Sequence, residues 1–249
     1  MSMSPLVSRL QTRGATRRRP TSRTPGEPGG KVKHLDSAMQ DGSLFTHAHA
    51  PQRVHGWSAL PGPRLSRHQR DWVSRGSALT GHLAVLGQVS VRIISESVAI
   101  PWRDERWAMS GSAAGFLPLV WSRDVAISVN GTDCVLAHSV TPLRASHGPW
   151  QAMRRLRRRP LAELLYKDSK VRRSLLVSRY LPARTPGEWC RDSLYQLLRN
   201  AGHPRPRCAL VARRSVFERY SAPLLITECF LPAFWQMLNA AEQSENCAC

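Results

Sequence analysis

Two charged residues stand where a core is expected. In Trp121-Ser122-Arg123-Asp124-Val125-Ala126-Ile127-Ser128-Val129 a strand's side chains alternate, so Arg123 shares a face with Trp121, Val125, Ile127 and Val129. In Pro223-Leu224-Leu225-Ile226-Thr227-Glu228-Cys229-Phe230-Leu231-Pro232, Glu228 shares a face with Leu224, Ile226 and Phe230. A charge on a core-facing position is costly unless it is paired. Either the two serve each other as a buried salt bridge, or they wait for a polar ligand. Other reactive residues read more plainly. Cys134 and Cys229 sit in strand patterns as small buried apolar side chains, and Cys247-Ala-Cys249 lies in a polar terminus that frays. His47, His49 and His55 have no regular element to hold them, and the chain offers no convincing metal cluster and no glycine-rich phosphate loop.

The elements that must position the two charges follow from pattern. Residues 119–129, Asn130-Gly131 and residues 132–140 predict a hairpin with a two-residue turn. That turn sets 129 opposite 132, 127 opposite 134, 125 opposite 136 and Arg123 opposite His138, where a histidine reads as a satisfied core or rim residue. Val89, Val91 and Ile93 predict a further strand, and 208–219 with 222–231 an antiparallel pair in which Arg213 and Arg214 point to opposite faces. One of these arginines is a candidate for the pocket; solvent or structural pairing suits the other. Ser77 is a candidate N-cap for a short helix from Ala78, and residues 149–178 and 188–200 read as helical. Residues 101–117 read as irregular. The order implies an α+β fold, an antiparallel sheet with helices to one side.

The chain has 249 residues, 42% of them hydrophobic, enough for one good core. Residues 1–62 read as a basic disordered extension, rich in Arg, Ser, Pro, Gly and His; a transit peptide or an over-long start before Met39 would share that composition. Residues 63–235 form the expected domain and 236–249 a flexible tail. No apolar run approaches a membrane span, and the N-terminus lacks the apolar stretch of a signal peptide. The net charge is +19, and residues 61–249 alone carry 27 Lys+Arg against 14 Asp+Glu. Such a surface attracts anions: nucleic acid, acidic lipid or small acidic metabolites. No nucleic-acid reading motif or stacking platform accompanies it, so only weak, salt-sensitive binding of that kind is expected. The Arg154–Arg159 run reads as a solvated helix face, with steering of an anionic substrate as the alternative.

Four segments in order resemble the chorismate pyruvate-lyase family. They are Trp121-Ser122-Arg123-Asp124 running through Asn130-Gly131 to Pro142; Pro160-Leu161-Ala162-Glu163-Leu164-Leu165-Tyr166; Ala212-Arg213-Arg214-Ser215; and the strand from Pro223 to Pro232. The match covers roughly 70–232. It departs from the family pattern at Ala137 and Ala162, where the family has glycine, at His138, where it has arginine, and by some 25 extra residues between Tyr166 and Arg213.

The resemblance implies an enzyme that cleaves chorismate to 4-hydroxybenzoate and pyruvate, the entry step of ubiquinone synthesis, with helical flaps over an internal site. It implies no cofactor and no metal, since aromatisation drives the reaction, and a cytoplasmic protein that is a monomer. It places the substrate contacts on Arg123 (ring carboxylate), Glu228 (the C4 oxygen) and the backbone amides of Leu79 and Leu161. Apolar neighbours would raise the pKa of Glu228 and let it shuttle a proton; a pericyclic route would leave it a positioner. The rival reading is a non-catalytic aromatic-acid sensor of the same fold. Residues 1–60 lack the amphipathic periodicity of the DNA-reading domain such regulators carry.

Overall fold

The computed structural model describes residues 56–110, 119–183, 193–204 and 207–247. Residues 1–55 of the expected extension, with His47, His49 and His55, and Cys249 lie outside them. The helices are α1 (Arg67–Ser74), α2 (Leu79–Ala84), α3 (Arg103–Ser110), α4 (Ala162–Leu165), α5 (Ser193–Asn200) and α6 (Pro232–Cys247). The strands are β1 (Val89–Ala99), β2 (Val120–Val129), β3 (Thr132–Pro142), β4 (Arg172–Arg173), β5 (Val177–Leu181), β6 (Leu210–Arg219) and β7 (Ala222–Phe230). They form one antiparallel sheet in the order β1-β2-β3-β7-β6-β4, with β5 also pairing along β6.

The Asn130-Gly131 turn forms as the sequence requires. Both residues have positive φ (48° and 82°), the twist that lets a two-residue loop join β2 to β3. The register beyond it differs from expectation. Cys134 is an extra residue between the pairs Ser128–Asp133 and Ile127–Val135, so Arg123 stands opposite Ser139 and His138 opposite Asp124. A bulge of one residue turns every later side chain to the other face. This one is held from outside the hairpin, because the Leu231 amide donates to the Cys134 carbonyl at 2.9 Å.

Alternation then sorts the core into two layers. On one face Val125, Ile127, Val135, Val211 and Phe230 pack under Trp72 of α1, Leu79 and Leu83 of α2 and Phe234 of α6. On the other, Ala126, Leu136, Ala212 and Cys229 pack under Leu194, Tyr195, Leu197 and Leu198 of α5, while Ala108 and Met109 of α3 lie against Val120, Val140 and Leu225. The α+β class with its antiparallel sheet is as expected, but helices cover both faces.

Other local expectations change. Residues 103–110, read as irregular, are helical. Residues 149–178 are not one helix: a 3₁₀ turn over 151–155 and the single α-turn of α4 give way to β4 and β5. Like charges three and four residues apart oppose a helix through Arg154–Arg159, Arg157 has a left-handed φ of 50°, and Pro160 follows. Trp57, placed in the extension, is 6% exposed, and Ser58 exchanges two backbone hydrogen bonds with Ser178. Residues 236–247, expected as a tail, continue α6, where Met237 and Leu238 pack against the core.

Buried charges on the α3 side are paired. His138 lies between Asp124 and Glu105, the latter 2.8 Å from Nε2, and stacks on Trp102. Arg214 pairs with Asp104 at 2.9 Å and lies over the Trp57 ring. Burial alone would lower the His138 pKa, but the two carboxylates outweigh it and push it up to about 10. A group whose pKa rises on folding stabilises fully below its unfolded value, near 6.5. That contribution is lost as pH climbs through about 10. The urea midpoint should therefore fall between pH 6.5 and pH 9.5, by on the order of a few kcal/mol in stability. His138→Gln should flatten that alkaline slope, a comparison that chemical denaturation at the two pH values makes directly.

Candidate active site

Arg123 and Glu228 reach one cavity on the α1–α2 side of the sheet. Its floor includes Val125, Ile127, Ala137, Ser139 and Ile226, and its walls include Leu79 and Leu161. All four residues that the sequence singled out as contacts thus line the same space. The cover is built from the start of α2 and from residues 159–166, where Pro160, Leu161 and Ala162 lead into α4. Ala137 and Ala162, the two departures from glycine noted in the sequence, both line the cavity.

The two charges do not neutralise each other. Arg123 is 2% exposed, and its Nη1 donates to Glu96 at 2.8 Å. A second bulge makes that pair. β1 carries an extra residue, Ile94, between the pairs Ile93–Val125 and Ser95–Asp124. Without it Ser95 would stand opposite Arg123; with it Glu96 does. The Nη2 group of Arg123 donates to the carbonyl of Arg157 at 2.6 Å and reaches that of Arg159 at 3.4 Å. The guanidinium therefore ties the edge strand and the cover to the sheet. Three acceptors do not exhaust its five donors, so donors remain for a carboxylate in the cavity.

Glu228 stands opposite Arg213, whose Nε donates to it at 2.6 Å. Arg213 is fully buried, and its Nη1 also donates to the carbonyls of Trp72 and Arg75 at the end of α1. The expectation of an apolar shell around Glu228 thus gives way to a guanidinium partner. In this pair Glu228 is the acceptor of the Arg213 N–H. Arg213 is the site-face member of its pair, spent on Glu228; Arg214 is buried on the other face, so neither faces solvent.

Leu79 begins α2, so its N–H belongs to the turn that lacks an intrahelical acceptor. Ser77 is not the cap. Ala78 takes that position, and Ser77 has a left-handed φ of 56° with its hydroxyl on His82. The Ser77 carbonyl accepts from the Tyr166 hydroxyl at 2.7 Å and lies 3.4 Å from Arg173 Nη1. Tyr166 and Arg173 both line the cavity. Burial raises the Tyr166 pKa, so it stays a neutral donor. Sequence reasoning missed Arg173, whose segment was read as helix, and missed Glu96, whose side depends on a bulge.

The match to known families bears on this geometry. Residues 63–239 match the family model described as chorismate lyase. The chain belongs to the chorismate lyase family. Among family relatives, a probable chorismate pyruvate-lyase of Bordetella pertussis is 44% identical over 187 residues, 75% of this chain and 94% of its own. One of Bordetella avium is 45% identical over 74% and 87% of the two chains, and a probable chorismate pyruvate-lyase 1 of Pseudomonas fluorescens 32% over 76% and 95%. Among solved structures, PhnF from Mycobacterium smegmatis aligns with a TM-score of 0.44 at 10% identity, covering 64% of this chain and 65% of its own. A likeness of that size carries no weight in choosing between an enzyme and a sensor.

The Arg213–Glu228 pair gives a stability test. Arg213→Met should cost about 3 kcal/mol, because it strands a half-buried carboxylate and two carbonyls. Arg213→Met combined with Glu228→Leu should recover most of that loss in urea denaturation.

Proposed function

We propose that the chain is a chorismate pyruvate-lyase that converts chorismate to 4-hydroxybenzoate and pyruvate, a reaction that supplies ubiquinone synthesis. The observation that carries the reading is the convergence of Arg123, Glu228, Leu79 and Leu161 on one cavity. Arg123 takes the ring carboxylate with the donors its protein partners leave over, and the amides of Leu79 and Leu161 add further polar contacts. Glu228, fixed by Arg213, accepts the hydrogen bond of the C4 hydroxyl.

The chemistry asks for placement more than for an acid or base. The C3–O bond breaks, the C4 hydrogen leaves the ring, and the enolpyruvyl methylene gains a hydrogen to become the methyl group of pyruvate. The ring gains aromaticity, which supplies the driving force. What the protein contributes is a held geometry and exclusion of water. The guanidinium beside Glu228 supports the positioner role over the shuttle. The reading includes a monomer in the cytoplasm; no helix among the described residues is long and apolar enough to cross a membrane.

Incubating the purified protein with chorismate should release 4-hydroxybenzoate and pyruvate in equal amounts. Tight binding of aromatic acids with no product would favour the sensor instead. Arg123→Ala should weaken 4-hydroxybenzoate binding by about 100-fold or more, read by calorimetry. Glu228→Gln should keep kcat within about tenfold, whereas a loss of 10²–10⁴, roughly the range for removing a general acid or base, would restore the proton shuttle.

A further inference from the structure

Three charged side chains line the cavity from the sheet: Arg123, Glu228 and Arg173. The first two have counter-charges in Glu96 and Arg213. Arg173 has none: among the described residues no carboxylate lies within ion-pair distance of it. Its partners are neutral. Nε donates to the Ser215 hydroxyl at 3.1 Å, Nη1 lies 3.4 Å from the Ser77 carbonyl, and its Cζ is 5.2 Å from the centre of the Phe217 ring. Those contacts fix the plane of the guanidinium and leave donors over. Burial lowers its pKa most; electrostatic interactions with Tyr166 and with Glu228, which is beyond ion-pair distance, raise it, and the nearby Arg213 cation lowers it.

Leaving a shielded guanidinium without an anion is costly, and an anionic ligand would offset that cost. Arg159 also borders the cavity, from the cover. Of the two arginines that line it from the sheet, Arg123 is on β2, whereas Arg173 is on β4 at the far end of the sheet order. Two such groups on separate walls suit a ligand with two separated carboxylates. We propose that Arg173 binds the second carboxylate of the substrate, the one on the ether-linked side chain that departs as pyruvate, and so selects dicarboxylate substrate over monocarboxylate product. The inference rests on the lyase reading, in which the substrate carries two carboxylates and the aromatic product one.

The test separates the two carboxylates. Arg173→Gln should raise KM for chorismate by about 10–100-fold while moving the 4-hydroxybenzoate Kd by less than about twofold. Arg173→Lys, which keeps the charge but loses the fork, should recover part of the KM. A wild-type measurement guards against a variant that misfolds. The wild-type protein should bind 3-(carboxymethoxy)-4-hydroxybenzoate at least about tenfold more tightly than the matching carboxamide, the scale of one charge-assisted contact. An unchanged KM in Arg173→Gln, a 4-hydroxybenzoate Kd that weakens in step with KM, or no preference for the acid over the amide would each overturn the assignment. Wild-type protein that releases no 4-hydroxybenzoate from chorismate would overturn the lyase reading itself. Active wild type with an indifferent Arg173 variant would overturn only the role of Arg173.

Discussion

The buried guanidinium of Arg123 is the joint on which the site depends. It rises from the middle of β2, takes Glu96 from the edge strand on one side, and holds the carbonyls of Arg157 and Arg159 from the cover on the other. A charge with so little exposure is stable only while those partners stay in place. The same contacts that satisfy Arg123 therefore bring the edge strand and the cover to the cavity. Arg213 does the same at the other end, joining Glu228 to the carbonyls at the end of α1. The proposed contact residues are thus fixed by the protein's own hydrogen bonds, so the cavity they line is shaped without a ligand.

The two faces of the sheet use charge differently. On the α3 side, His138 between two carboxylates and Arg214 with Asp104 are closed sets, each charge spent on another within the protein. On the cavity side the sets are open: Arg123 keeps donors beyond those its protein partners use, and Arg173 has only neutral partners. A closed set supports the fold and responds to pH. An open one leaves donors over, as the proposed binding of a carboxylate requires. Adjacent residues in one strand fall into the two categories, Arg123 beside Asp124, because consecutive strand side chains point to opposite faces.

Much of this was legible in the chain. Alternation alone put Arg123 and Glu228 on apolar faces, and Asn130-Gly131 marked the hairpin turn, because strand period and turn chemistry are local properties. The order of four motifs made the resemblance specific and led to the four contact positions that line the cavity. The helix expected over 149–178 was the largest local misreading. Its apolar spacing was compatible with a helix, but repulsion along Arg154–Arg159 and the demand of Arg123 for the carbonyls of 157 and 159 favour an irregular chain.

What only the tertiary structure decided is which charges meet. Two bulges, at Ile94 and Cys134, each insert one residue. The first brings Glu96 rather than Ser95 to Arg123, and the second sends His138 to Asp124. Neither is visible in a period-two pattern, because the bulge at Cys134 is held by a contact from Leu231, nearly a hundred residues away along the sequence. The sequence by itself determined that two charges would be buried on strand faces and that a polar partner was required. The long-range register determined that each would find its own counter-charge, leaving the cavity between them for a ligand.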